Sequence, residues 1–295
     1  MLSIIICSVN PVYLNQVKEN ISSTIGIEYE LLVWDNIGQN KSLCEVYNAM
    51  ASQAQFQYLC FMHEDIIFRT KNWGQIIVNN FHNDSDLGLI GIAGSKYKSK
   101  TLSGWSTGIK NFDCCNIFHV DSEKKEIRIY SNPENALLST TVNLDGVFIC
   151  AKKEVTNKIK FDQEMLDGFH LYDLDFSFRA SNHYGVAVTF EIDITHLTEG
   201  GDFGDKWMHY TLLWHKAYAK ELPRNISGLN INASSEREIK KNWLHMLSLQ
   251  KISWQNKFRW IILTKSYAHV LLWPHIGYFL FFNTYKQFVS RSYFF

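Results

Sequence analysis

The chain has 295 residues, of which 46% are hydrophobic and 20% charged, and its 29 Lys and Arg balance 29 Asp and Glu. This composition excludes a disordered chain, and a net charge of zero gives no support to nucleic-acid binding. The length suits one large domain with an appendage, or two domains.

Leu2–Cys7 (LSIIIC) is a short continuous apolar run, the pattern of a strand covered on both faces. Asn10-Pro11 punctuates it, and Val12–Ser22 follows as a helix. Glu30–Trp34 (ELLVW) is a second strand that ends in Asp35-Asn36. After a Gly/Asn loop, Ser42–Gln53 carries a helical apolar stripe through Val46 and Met50, and Gln57–Met62 is a third strand. Strand–helix–strand–helix–strand with short connections predicts βαβ units: an α/β fold with a mostly parallel central sheet flanked by helices. Ligands bind such sheets at the carboxyl ends of the strands. Ser8, Asp35 and the triplet His63-Glu64-Asp65 all follow such ends.

Trp73–Asn80 reads as a helix and Leu87–Ala93 as a strand. From Gly94 to about Leu138 the pattern degrades into a loop-rich excursion over the site. Val142–Ala151 and Gly185–Thr195 each read as one strand, the second ending at His196, and Tyr172–Asn182 and Asp205–Glu221 as helices. The Gly-rich stretch LTEGGDFGD after His196 reads as a mobile loop. The six cysteines Cys7, Cys44, Cys60, Cys114, Cys115 and Cys150 form no CxxC pair, and free buried thiols in a reducing cytoplasm are expected. The N-terminus has no basic region ahead of its short apolar run, so no signal peptide is expected.

Between Lys241 and Phe295 the chain carries seven Lys and Arg and no Asp or Glu, together with Trp243, Trp254, Trp260 and Trp273. A basic, aromatic mixture of this kind suits a membrane surface. Lys265, His269, Pro274 and His275 interrupt the apolar run Trp260–Phe282, which favours an interfacial anchor over a full span. A helical cap on the domain, or an oligomer interface, is the competing reading. The expected division is a domain over residues 1–235 and a helical segment over 236–295.

Four clusters could carry chemistry. Asp35 with Asn36 can accept a hydrogen bond from a base or ribose, or simply make an Asx-turn or helix cap. In an extended segment, residues two apart point the same way, so His63 and Asp65 would face one ligand while Glu64 points elsewhere. A hard divalent ion on a diphosphate needs only one or two protein carboxylates; a charged turn is the plainer alternative. In Phe169–Arg179 (FHLYDLDFSFR), Asp173 and Asp175 stand near a helix start, where the dipole favours carboxylates. That capping role does not account for His170, Tyr172, Asp173 and Asp175 together, and a carboxylate in a pocket can take a proton from an attacking hydroxyl. His196 is the fourth, either a structural histidine or a ligand at a strand end.

In chain order these clusters resemble a nucleotide-diphospho-sugar glycosyltransferase of the GT-A fold, in the broad family 2-like group. SIIICSVNP (Ser3–Pro11) resembles that family's first strand and turn, and LLVWDN (Leu31–Asn36) its second, whose terminal Asp contacts the base. YNAMASQA (Tyr47–Ala54), with Asn48, resembles the helix that follows. FMHEDI (Phe61–Ile66) falls at the D-x-D metal motif, here in the H-x-D form of a bacterial group. LDGVFICAKKEV, FDQEM and GFHLYDLDFSFRA then follow in the family's order over roughly residues 2–215. The E-D pair that carries the catalytic base reads Tyr172-Asp173, and His196 falls at a late metal-binding His.

The resemblance implies a Rossmann-like nucleotide-binding half and an inverting transfer from a UDP-sugar to a saccharide. Asp173 would be the base, supported on the acceptor side by His170, Tyr172 and Asp175. Ser8, Asp35, Asn36, Asn48, His63 and Glu64 would contact the donor. Asp65, His196 and His63 would hold Mn²⁺ or Mg²⁺. With the basic tail, it implies a polyprenyl-diphosphate-linked acceptor at the inner face of the cytoplasmic membrane, in bacterial cell-surface polysaccharide synthesis. A non-catalytic nucleotide-sugar binding protein is the alternative. A dinucleotide-dependent oxidoreductase is discounted, because no G-x-G-x-x-G follows the first strand.

Overall fold

The computed structural model describes residues 1–120, 124–198 and 203–291, with the side chains of the last helix through Phe282. The first half opens as β1 (Leu2–Ser8), α1 (Pro11–Thr24), β2 (Tyr29–Asp35), α2 (Leu43–Gln53) and β3 (Tyr58–Met62). Asn10 caps α1 by accepting from the Val12 and Tyr13 amides, and Pro sits at the helix start, where its missing N–H costs nothing. Ser42 and Glu45 close a capping box on α2. β1 pairs in parallel with both β2 and β3, as the βαβ pattern requires.

Next come β4 (Ile66–Phe68), α3 (Trp73–Asn83), β5 (Leu87–Gly91), β6 (Ala93–Ser95), β7 (Tyr97–Lys98), β8 (Asp113–Val120), β9 (Glu126–Ser131), β10 (Leu138–Thr140), β11 (Asn143–Leu144) and β12 (Phe148–Lys152). After α4 (Lys153–Lys158) and α5 (Tyr172–Ala180), the chain adds β13 (Gly185–Thr189), β14 (Ile194–His196), α6 (Asp205–Ala217) and β15 (Arg224–Asn225). The central sheet runs β10-β13-β5-β12-β3-β1-β2, and a second sheet runs β11-β6-β8-β14-β4 with β9 beside β8. The architecture is the expected α/β one, a central sheet flanked by helices. It is less parallel than expected: β12 enters antiparallel between β3 and β5, and β10 is antiparallel to β13.

The loop-rich excursion carries long stretches without strand at 99–112 and 132–137, and around them it supplies β6, β8 and β9 to this second sheet. Five times the chain leaves one sheet and enters the other after a short break: β3 to β4, β5 to β6, β10 to β11, β11 to β12 and β13 to β14. Val142–Ala151 and Gly185–Thr195 are therefore each two strands. His63, Glu64 and Asp65 occupy one of these seams, and Asp145 and Gly146 another.

Alternate residues of each central strand feed opposite cores. Ile5, Leu59 and Phe61 pack with Tyr47 and Met50 of α2, whereas Ile4, Cys60 and Met62 pack with Ile21 of α1 and Trp73 of α3. Cys60 and Cys150 face one another in the β3–β12 ladder, with Cα atoms 4.1 Å apart, and form a disulfide. This corrects the expectation of free thiols for these two. Ninety residues separate them in sequence, and only the antiparallel insertion of β12 makes them neighbours. Cys7, Cys44, Cys114 and Cys115 remain free.

The C-terminal segment forms α7 (Ala233–Ser248), α8 (Trp254–Leu263), two short 3₁₀ turns and α9 (Trp273–Arg291). Trp243 and Trp260 are buried in the same core as α5 and α6; Trp254 and Trp273 are exposed. Among the described residues, no helix is long and apolar enough to cross a membrane. Residues 199–202 of the Gly-rich stretch after His196 lie outside the described residues.

Candidate active site

Asp65 is the centre of a small cluster. One carboxylate oxygen lies 3.2 Å from His196 Nε2 and 3.9 Å from His63 Nδ1, and the other accepts from the Thr198 hydroxyl at 2.8 Å. Burial alone would raise the Asp65 pKa, but hydrogen bonding and charge from His196, with help from His63 and Thr198, hold it down at about 2. Burial lowers His63 despite the attraction of Asp65.

Tyr172 sets the state of His63. Its hydroxyl lies 3.1 Å from the Gly146 carbonyl and 3.0 Å from His63 Nε2. A phenol proton given to Gly146 makes His63 Nε2–H the donor to the phenol oxygen and frees Nδ1, on the Asp65 side, to act as a ligand; a phenol proton given to Nε2 leaves Nδ1–H to pair with Asp65. Outer partners of metal-binding imidazoles act in the first way. Gly146 is required here, because an added Cβ would sit 2.1 Å from the Tyr172 hydroxyl.

One donor atom each from His63, Asp65 and His196 lies within 4.8 Å of the others. His196 turns Nε2 to Asp65 and leaves Nδ1 buried with no hydrogen-bond partner among the described residues, and this donor set of two imidazoles and a strongly acidic carboxylate fits a divalent cation.

Two cavities meet at this cluster. The larger, about 420 Å³, is lined by His63, His196, Asp145 and Asp173 together with aromatic walls from Trp105, Phe169, Phe203 and Trp207. The smaller, about 300 Å³, is lined by Cys7, Val9, Tyr13, Tyr47, Glu64 and Asp65. His63 and Phe169 belong to both. Asp173 is the second residue of α5, which starts after a left-handed Leu171, and it faces the larger cavity. Desolvation, then the nearby Asp145 carboxylate, push its pKa up to about 7 despite backbone N–H donors that include Gly146. A carboxyl tuned there changes protonation near neutral pH, which is what general-base work requires.

The structure thus brings together His63, Asp65, His170, Tyr172, Asp173 and His196. Other predicted positions are used locally. Glu64 is turned away from Asp65, and its two oxygens accept from the Ser8 hydroxyl at 2.5 Å and the Val9 and Asn10 amides at 3.0 Å, so Ser8 and Glu64 bind each other. Asp35 is exposed and makes an Asx-turn to the Ile37 amide. Asn36 closes its loop onto Lys41, and Asn48 pins Phe161 through its amide and carbonyl. Asp35, Asn36 and Asn48 line neither cavity. Asp175 is fully buried against Arg179 and the Trp214 indole, where it holds α5 to α6.

Sequence reasoning missed Asp145, Trp105, Trp207, Phe203 and His119 in the larger cavity. Asp145-Gly146, a carboxylate and a glycine inside an apolar run, was the available signal for the first.

A family model described as "Glycosyltransferase like family" matches residues 3–210. No curated protein matches the chain. Among solved structures it is similar to GalNAc-T7 with UDP, GalNAc and Mn²⁺, at 8% identity and a TM-score of 0.47, covering 82% of this chain and 49% of that one. It is also similar to S. aureus TarS 1–349 in complex with UDP, at 11% identity and a TM-score of 0.49, covering 89% of this chain and 78% of that one. A further S. aureus TarS structure matches at 11% identity and a TM-score of 0.48, covering 89% and 47%. The chain spans about half the length of GalNAc-T7 and of that last TarS chain.

Proposed function

Because the chain belongs to this glycosyltransferase-like family, we propose that its two cavities hold a nucleotide-sugar donor and a saccharide acceptor for an inverting transfer. The observation that carries the reading is the shared space: a carboxylate tuned to about 7 lines one aromatic-walled cavity with His63 and His196 of the cation-fitting cluster, whose Asp65 lines the adjoining cavity. The nucleoside, uridine on the resemblance above, lies in the smaller cavity between Tyr13 and Tyr47, and the transferred sugar and acceptor lie in the larger one.

Asp173 takes the proton of the acceptor hydroxyl. The oxygen attacks the anomeric carbon from the face opposite the diphosphate, the bond from that carbon to the diphosphate oxygen breaks, and the nucleoside diphosphate leaves. One base suffices and no protein nucleophile is needed. Asp65, His63 and His196 would hold Mn²⁺ or Mg²⁺, which supplies positive charge against the leaving diphosphate. Tyr172 keeps the His63 lone pair directed at that site, and the aromatic walls exclude water from the reacting centre.

For the acceptor we favour a lipid-linked saccharide, polyprenyl-diphosphate-linked, used in cell-surface polysaccharide synthesis at the inner face of the membrane. Trp254, Phe258, Ile262, Val270, Leu271 and Trp273 are exposed large apolar side chains on the C-terminal segment. Lys251, Arg259 and Lys265 are exposed among them, and no acidic residue follows Glu238. That combination complements an anionic bilayer.

A donor screen by thermal shift tests the donor reading, because a ligand of the native state raises apparent stability. A UDP-sugar is expected to raise the melting temperature in the presence of Mn²⁺ and less so for Asp65→Ala. No shift with any nucleotide sugar would overturn it. Binding without turnover would favour the nucleotide-sugar binding protein instead.

A further inference from the structure

His119 lies on β8, inside the stretch that reads in sequence as an excursion of loops, and no motif marks it. In the parallel β8–β14 ladder it stands directly opposite His196. Residues opposite one another on neighbouring strands present their side chains to the same face. The His119 and His196 rings meet edge to face with centroids 5.2 Å apart, and the His63 and His196 centroids are 5.6 Å apart. Two imidazoles that share an ion at about 2.1 Å in a tetrahedral arrangement have centroids about 5 Å apart.

Thr198 joins His119 to the same cluster. Its carbonyl lies 3.3 Å from His119 Nδ1, and its hydroxyl donates to Asp65. A carbonyl can only accept, so Nδ1 carries the proton and Nε2 keeps its lone pair. Imidazoles that bind metals are oriented in this manner, one nitrogen donating to a carbonyl while the other serves as ligand. His119 also lines the larger cavity with His63 and His196, and is not one of the trio Asp65, His63 and His196 whose donor atoms lie within 4.8 Å of one another.

From this geometry we propose that His119 closes on the bound cation as a third imidazole ligand, which makes the site select ions that take nitrogen ligands over Mg²⁺. The inference rests on the cation site of the proposed reaction. Mg²⁺ prefers octahedral oxygen and keeps its waters, whereas three imidazoles and one carboxylate favour Co²⁺ above Mn²⁺ on the usual affinity order.

The test uses Co²⁺ alone, titrated into the full metal-free chain, with calorimetry for affinity and visible absorption for the ligand set. Wild type is expected to bind one Co²⁺ that excess Mg²⁺ does not displace. His119→Ala is expected to weaken binding about tenfold or more and to change the absorption band. His119→Gln, which keeps size and polarity without an imidazole, should do the same, and it supplies the reading if the alanine variant's metal-free melting shows that it does not fold. Asp65→Ala should abolish binding. Wild-type affinity and spectrum in both His119 variants, with binding lost in Asp65→Ala, would overturn the role of His119 and leave the cation site standing. Failure of wild type to bind Co²⁺ would overturn both.

Discussion

Asp173→Asn separates a catalytic carboxylate from a helix cap by its effect on stability. The Asp173 pKa moves from 3.8 to about 7 on folding, chiefly through desolvation and then through Asp145. The sign follows from proton linkage. Below about pH 4 the group is protonated in both folded and unfolded chains and costs nothing. Between about 4 and 7 the unfolded chain ionises while the folded one keeps its proton, so stability falls as pH rises; above 7 the full penalty is present. About three pKa units at 1.36 kcal/mol each would be about 4 kcal/mol for a fully shielded group, and we halve that to about 2 kcal/mol because Asp173 is half-buried. Asn keeps an oxygen for the backbone donors but cannot ionise. Thermal melts should therefore show Asp173→Asn about 4 °C more stable than wild type at pH 8, and equal to it at pH 4. A variant less stable than wild type at pH 8 would refute the reasoning, since it would make the carboxylate a stabilising cap.

Glu64 is expected to be structural. Glu64→Ala leaves the Ser8 hydroxyl and the Val9 and Asn10 amides without their acceptor and should cost about 3 kcal/mol, read as a lower urea midpoint at unchanged slope. The C-terminal apolar face should carry full-length protein up with anionic liposomes in a flotation gradient. Replacing Trp254, Phe258 and Leu271 by Ser should leave it at the bottom; equal flotation of both would rule out this face as the docking surface.

The parts of the fold legible in the sequence are those whose pattern is local. β1, β2 and β3 are continuous apolar runs, and α1 and α2 carry their own caps, so their order and parallel pairing follow from residues 2–62 alone. Alternation likewise separates Glu64 from His63 and Asp65. What was not legible depends on distant pairing. Nothing near Cys150 says that its strand enters antiparallel beside β3, so the disulfide was hidden, and Asp145-Gly146 showed only as a break in an apolar run without its place at a seam. Asp35, Asn36 and Asn48 have the residue types of a donor site, but short-range hydrogen bonds to Ile37 and Lys41, and a longer one to Phe161, already use them. Asp175 follows Asp173 by two residues on a helix, which turns it to the opposite side and onto Arg179. The aromatic tail divides as neither simple reading allows: Trp243 stacks on Trp207 at 5.3 Å and supports the cavity wall, while Trp254 and Trp273 face outward.

As the base of a glycosyl transfer whose diphosphate leaves beside Asp65, Asp173 should govern turnover. Release of UDP from a matched UDP-sugar and acceptor, measured with Mn²⁺ for wild type, Asp173→Asn and Asp65→Ala, tests it most directly. Turnover in wild type is expected to rise with pH through about 7, with losses of about 10²-fold to 10⁴-fold in Asp173→Asn and donor binding retained. Wild-type turnover in Asp173→Asn would contradict it.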